Sequence, residues 1–283
     1  MGKYIEPLQI SPVVVSHNSE KYIEKFWEKN GNELGCAVTI VNSSDKKTDI
    51  NSNYSFDIIE AGANVGFSAA NNIGIRHCLQ NKADFFLIAN QDVLLPSGWL
   101  SCINKVLAEP ELSDVGIFTV PLLAYEFKDN RPAGLIDSLG IEHTWYGHWY
   151  DVSQGESDSV LNKKLSPYVV TAACGALMLI RKNTVQKLLN KDGYVFNEAY
   201  FMYKEDIELS LRISKLGEKV MMIPSAPAFH CRGWANNRAE SPAWARRLSA
   251  KNELNMHLKF FWRYLPYTSI KYVYVNTIER LLY

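Results

Sequence analysis

Four clusters in this 283-residue chain combine residue types that could do chemistry. Asn90-Gln91-Asp92 follows the apolar run 84–89 (DFFLIA). A carboxylate at the end of a buried strand can hold a hard divalent cation against a diphosphate. The same residues favour turns, and Pro96 and Gly98 follow closely, so spacing leaves both readings open. Glu205-Asp206-x-Glu208 opens a helical pattern over 205–216. Acidic residues there are ordinary dipole partners, yet one of them can be aimed into a pocket as a general base. His230 stands between Ala228-Phe229 and Cys231-Arg232-Gly233-Trp234. Neutral imidazole suits Mn2+-like ions, although a lone histidine is also an ordinary structural residue. The run 62–74 (GANVGFSAANNIG) carries Asn64, Gly66 and Asn72. Its small residues allow close backbone approach to a ligand at a helix start, or simply a tight strand–helix turn. It is not G-x-G-x-x-G and no Walker lysine follows, which weakens the dinucleotide and P-loop readings.

These clusters need a scaffold, and the hydrophobic pattern supplies one. Apolar runs at 12–16, 36–41, 56–60, 84–89 and 115–120 read as strands. Helical patterns over 19–29, 67–79 and 99–107 lie between them. That alternation predicts βαβ units and an α/β fold with a mostly parallel sheet and helices on both faces. Polar residues gather after the strands, as ligand sites do at the carboxyl edge of open α/β sheets. Residues 121–168 lose the period and are rich in Trp, Tyr and His, which predicts a long loop or an excursion of short strands. Apolar character returns at 169–180, around Gly175 and Ala176, and a short strand is expected at 219–223.

Composition narrows the class. At 47% hydrophobic and 12% aromatic residues the chain can bury a full core, which excludes a disordered or disulfide-scaffold protein. Its five cysteines are widely spaced without C-x-x-C, which fits a reducing compartment. The first ten residues hold no apolar run and no signal peptide is expected. Thirty basic and thirty acidic residues balance, which disfavours a nucleic-acid binder. The balance hides a gradient. Seven basic residues from Ser241 to Tyr283 face only Glu253 and Glu279, a net +5 that leaves −5 for the rest. Interleaved with aromatics, this segment reads either as a helix packed on the domain or as a dock for an anionic membrane surface.

In chain order, VVVSHNS, IVNSS, NVGFSAANNIGI, ANQDVLLPSGWL, CGALMLIRK, FNEAYFMYKEDIELSLR and PAFHCRGW resemble the inverting family 2 glycosyltransferases. The likeness is greatest to their bacterial rhamnosyltransferase-like branch and runs over about residues 11–265. It implies a GT-A fold, with a Rossmann-like central sheet, an acceptor-side subregion and a helical C-terminal tail. The expected division is a catalytic domain at 1–240, with a nucleotide-sugar half at 1–120 and an acceptor half at 121–240, then a basic aromatic segment at 241–283. By the same resemblance Asp92 and His230 hold a divalent metal, Mg2+ or Mn2+. Asp206 is the general base that deprotonates an acceptor hydroxyl, with Glu205 in support. Ser16, Asn42, Asn64, Gly66, Asn72, Asn90, Gln91, Gly175 and Ala176 lie near a nucleotide-sugar.

One departure concerns the base. The family usually has Asp before the Asn of its second motif, and this chain has Val41. The resemblance makes dTDP-rhamnose the first choice of donor and a UDP-hexose the alternative. A non-catalytic carbohydrate-binding protein of the same fold is the rival reading. The acceptor expected is a glycan or lipid-linked glycan of a bacterial surface polysaccharide. The location expected is cytoplasmic, with a peripheral place at the inner face of the cell membrane as the alternative.

Overall fold

The structure is a computed structural model that describes residues 8–163, 166–231, 242–277 and 279. Gly233, Trp234 and Arg280, which the sequence reading used, lie outside the described residues.

The nucleotide-side half alternates as its apolar runs require. Strand β1 (Ile10–Ser16) leads into a continuous helical stretch. This comprises α1 (Glu20–Tyr22), a π-helical turn (Ile23–Trp27) and α2 (Glu28–Leu34). Then come β2 (Thr39–Asn42), β3 (Asp57–Glu60), α3 (Gly66–Cys78), β4 (Phe85–Asn90) and the short β5 (Val93–Leu94). Helix α4 (Trp99–Leu107) and β6 (Val115–Thr119) follow. Alternate residues of each central strand bury on opposite faces, as a two-residue period demands. Val14, Phe85, Leu87 and Leu179 join Ile23, Phe26, Trp27 and Ile103 in one core layer. Val13, Val15, Phe86 and Ile88 join Ala70, Ile75, Leu188 and Leu209 in the other.

The aperiodic stretch after 120 is an excursion of short strands. It holds β7 (Leu122–Glu126), β8 (Arg131–Ser138), β9 (Ile141–His143), β10 (Trp149–Asp151) and β11 (Tyr168–Val169). The chain returns through β12 (Leu177–Arg181), α5 (Lys182–Asp192), α6 (Glu205–Lys215), β13 (Lys219–Met222) and β14 (Ala228–His230). Two helices follow, α7 (Ala243–Phe260) and α8 (Leu265–Asn276).

The main sheet has eight strands in the order β11-β13-β6-β12-β4-β1-β2-β3. Strands β4, β1, β2 and β3 run parallel, and so do β13 and β6. Strand β12 is antiparallel to both β4 and β6, and β11 to β13. The sheet is therefore mixed beyond β4. A second sheet, β5-β14-β7-β8, pairs the strand after Asp92 with the strand that ends at His230. The small β9–β10 hairpin stands apart from both.

Charge pairs fasten the C-terminal helices to this body and to each other. Lys259 of α7 reaches the fully buried Glu208 of α6 at 2.8 Å. Lys271 of α8 reaches the fully buried Glu253 at 2.8 Å, and Arg246 meets Glu279 at 2.9 Å. Part of the basic excess read from the sequence is thus internal bonding, and residues 242–277 are built into the body.

Candidate active site

A cavity of about 580 Å³ opens at the carboxyl ends of β1, β2 and β4. At one end Asp92 and His230 meet. They come together because Val93 pairs with His230 across β5 and β14, and the Cys231 amide donates to the Asp92 carbonyl at 3.0 Å. His230 Nε2 lies 3.3 Å from Asp92 Oδ1, an ion-pair distance. On the other side of the ring, His230 Nδ1 meets the buried Asp137 carboxylate of β8 at 2.7 Å. Burial alone would discharge this ring, but the Asp92 and Asp137 carboxylates outweigh burial and push it up to about 9. Asp92 Oδ1 is buried with no hydrogen-bond partner. Asn90 Nδ2 stands 3.5 Å from His230 Nε2.

These groups suit a divalent ion. Asp92 Oδ1 and Nε2 converge, the ring being able to ligate once Nε2 gives up its proton, and Asp137 holds the opposite ring nitrogen as outer partners of ligating histidines do. Among the described residues no group of three or more His, Cys, Asp or Glu is placed to hold a metal. An ion at Asp92 and His230 would take its remaining oxygens from a ligand or water, a usual arrangement for Mg2+ beside phosphates.

The other end presents Glu205 and Asp206 at the first turn of α6. Gly175 makes room for Asp206: a Cβ at that position would stand 3.2 Å from Asp206 Cβ. The Gly175 amide donates to Asp206 Oδ2 at 3.0 Å, and the Ile207 amide donates to Oδ1 at 2.8 Å. Burial raises both carboxyls above their usual range, Glu205 well above it because Asp206 adds repulsion. Glu205 Oε2 has no hydrogen-bond partner. Burial thus disfavours the charged form of both, more strongly at Glu205, while the two amides partly offset it at Asp206.

The backbone entering α6 is unusual. Tyr203 and Lys204 both lie in the left-handed region, at φ 70° and 71°. Non-glycine residues there cost free energy unless neighbours enforce them. The buried Asn252 of α7 supplies the restraint, donating from Nδ2 to the Met202 and Tyr203 carbonyls at 2.9 Å each. The approach to this turn is tied to α3. The Phe67 amide donates to the Phe201 carbonyl at 2.7 Å, and Ser68 Oγ bonds the Tyr200 carbonyl. Gly66 sits at φ 82° beneath Phe201, where a Cβ would collide.

Ten of the thirteen residues expected near a ligand line this cavity: Asp206, Glu205, Asp92, His230, Asn64, Gly66, Asn90, Gln91, Gly175 and Ala176. Three do not, and their polar groups are spent inside the fold. Ser16 Oγ pairs with Ser19 Oγ at 2.9 Å. Asn42 donates to Glu60 and to the Lys46 carbonyl, each at 2.6 Å. Asn72 grips the 195–198 segment, accepting from the Phe196 amide at 2.9 Å and donating to Glu198 at 2.9 Å. Val41 is wholly buried against Gly74 of α3 and cannot meet a nucleobase. The cavity wall also holds His17 and Ser43, from the polar clusters that follow β1 and β2, and Tyr150, from the aromatic stretch 145–150; Asp151, Tyr203 and Lys204 are wall residues that sequence reasoning missed. That reasoning also missed Asp137, which carries no motif and reaches the site only by the pairing of β7 with β8 and β14.

No family model matches the chain. It is 25% identical over 263 residues to rhamnosyltransferase WbbL of Escherichia coli K12, covering 89% of this chain and 91% of that protein. It is 23% identical over 280 residues to the low-salt glycan biosynthesis hexosyltransferase Agl10 of Haloferax volcanii, covering 97% and 79%. Among solved structures, GalNAc-T7 with UDP, GalNAc and Mn2+ superposes with a TM-score of 0.61 at 14% identity. That match covers 89% of this chain, which spans about half the length of GalNAc-T7.

Asn252→Ala tests the turn. We expect the transfer rate constant to fall about tenfold with donor KM nearly unchanged, because the loss is of Asp206 placement rather than of binding. Steady-state kinetics with a melting curve as the folding control would check it.

Proposed function

We propose that this chain, a glycosyltransferase of the GT-A fold similar to the family 2 enzymes, moves a hexose from a nucleotide-sugar to a hydroxyl of a glycan or lipid-linked glycan, inverting the anomeric centre. The observation that carries this reading is one cavity with a cation-type pair at one end and an amide-held carboxylate at the other. Rhamnose from dTDP-rhamnose is the first donor to test, since the rhamnosyltransferase WbbL is similar over most of both chains. UDP-hexoses are the alternative, since Val41 removes the family's usual base-reading side chain.

Asp92 Oδ1 and His230 Nε2 are the groups that would hold a divalent ion, with Asp137 orienting the ring. When bound, the ion supplies charge neutralisation for a departing diphosphate. Mn2+ in the GalNAc-T7 structure supports that reading. Asp206 takes the proton of the acceptor hydroxyl as that oxygen attacks the anomeric carbon from the face opposite the diphosphate. The Gly175 and Ile207 amides keep its lone pairs directed. Burial and the neighbouring Asp206 hold the Glu205 carboxyl well above its usual range; when protonated it relieves repulsion against Asp206 and offers an acid O–H to a sugar hydroxyl.

A different observation favours a place at an anionic bilayer. No helix among the described residues is long and apolar enough to cross one. Trp262, Ile270 and Val273 are 79%, 72% and 56% exposed, and with Pro266 and Tyr274 they recur at spacings of three and four along the last helix and the turn before it. That spacing defines one helix face. The single carboxylate within 242–277, Glu253, is buried, whereas Lys251 and Arg263 are exposed. An apolar ridge beside uncompensated cations suits the surface of an anionic membrane.

Three outcomes are expected. First, a screen of nucleotide-sugars finds a donor whose transfer Asp206→Asn lowers by on the order of 10² to 10⁴-fold while donor binding persists. The wild-type rate falls as pH drops through the raised Asp206 pKa; equal activity in Asp206→Asn would remove it as the base. Second, EDTA abolishes turnover, Mn2+ or Mg2+ restores it, and Asp92→Ala weakens metal-dependent donor binding in calorimetry. Third, the protein sediments with phosphatidylglycerol vesicles and not with phosphatidylcholine vesicles. The double variant Ile270→Glu, Val273→Glu stays in the supernatant.

A further inference from the structure

The cavity has a wall that the donor reading leaves unused. Past Asp206 it is closed by β10 and by the left-handed turn before α6. On β10 the strand alternation turns Trp149 inward, where its indole N–H donates to His257 Nε2 at 2.9 Å. Tyr150 faces the other way and is 44% exposed although it lines the cavity. Tyr203, on the turn, is 41% exposed and lines the same cavity. Its ring leans on Trp244 of α7 with centroids 6.2 Å apart. The neighbour of Tyr150, Asp151, faces Asp206 closely enough for its charge to raise that carboxyl. Two half-exposed aromatic faces therefore stand beside the group that would take a proton.

The electrostatics select what those faces can hold. Lys204 is the one Lys or Arg among the described residues lining the cavity, and it stands 3.9 Å from the buried Glu253 carboxylate. Asp151, Glu205 and Asp206 lie around the aromatic pair. A phosphate or a carboxylate brought here would meet like charge, and among the described residues no guanidinium or further ammonium lines the cavity to receive it. An uncharged ring presents C–H groups to the tyrosine faces and hydroxyls to the carboxylates, and pays neither cost. Tyrosine suits such a mixed surface, having an apolar face and a polar tip.

We propose that Tyr150 and Tyr203 form an acceptor subsite for an uncharged sugar ring, whose hydroxyl they deliver to Asp206. This rests on the glycosyl-transfer reading above and names the acceptor end of it. The acidic side chains among the described lining residues disfavour uronic acids and isoprenoid phosphates as the group that receives the sugar.

Saturation-transfer NMR on the full chain tests it, using octyl glycosides of neutral hexoses against the matched octyl uronides and a short isoprenyl phosphate. Neutral glycosides should show ring-proton contacts that Tyr150→Ala removes and Tyr150→Phe keeps, because stacking needs the ring and not the hydroxyl. In transfer assays Tyr150→Ala and Tyr203→Ala should each raise acceptor KM about tenfold, while Tyr150→Phe and Tyr203→Phe keep it near the wild-type value. A melting curve reports that each variant is folded. The proposal is overturned if no neutral glycoside binds, if the uronide or phosphate binds better, or if both alanine variants keep the wild-type acceptor KM. Loss of donor turnover by the wild-type protein with every nucleotide-sugar would instead overturn the glycosyl-transfer reading, so the two failures are distinct.

Discussion

Two adjacent carboxyl groups withdrawn from water are the constraint around which this molecule is arranged. Burial raises the cost of ionising Glu205 and Asp206 together, and the fold answers without a strong counterion. Two backbone amides hold Asp206, the helix start favours negative charge, and Lys204 contributes at longer range. Each of these demands something further away. The Gly175 amide needs a residue without a side chain. The helix start needs a left-handed turn, and the turn needs Asn252 from a helix some 50 positions later in the chain. Helix α7 in turn is fixed by the Lys259–Glu208 pair and the Trp149–His257 contact. The acidic pair thus accounts for the intimacy between the C-terminal helices and the body.

How much of this was legible in the sequence follows from the range of each interaction. The strands β1, β2, β4 and β6 are continuous apolar runs, and the sequence marks them by local composition alone. Helix α4 matches its periodic pattern at both ends. Strand direction was not legible, because an apolar run such as Leu177–Arg181 reads the same whichever way it lies. The asparagines divide on the same ground. Asn64 and Asn90 follow strands and line the cavity. Asn42 and Asn72 follow equally plausible patterns, but their partners Glu60 and the 195–198 segment lie 18 and more than 120 residues away. Asp137 was silent because its meaning is its contact with His230, 93 positions later.

The charge balance changes its sense in three dimensions. The neutral total and the positive tail are facts of the sequence. In the fold, three tail cations are joined to carboxylates, two of those carboxylates fully buried. Breaking such a pair leaves an unpaired buried charge, so these cations act as structural fasteners. The basic character that remains facing outward is smaller and belongs to Lys251, Arg263 and their neighbours beside the apolar ridge.

The two ends of the cavity hang from different supports. Asp92 and His230 belong to the four-stranded sheet, through the β5–β14 pairing. Tyr150 belongs to a two-stranded hairpin outside both larger sheets, and Tyr203 to a turn governed by α7. A substitution in the hairpin can reshape one end without moving a strand of the other. Such an architecture makes the two walls independently adjustable, one anchored in a four-stranded sheet and the other in a hairpin and a turn.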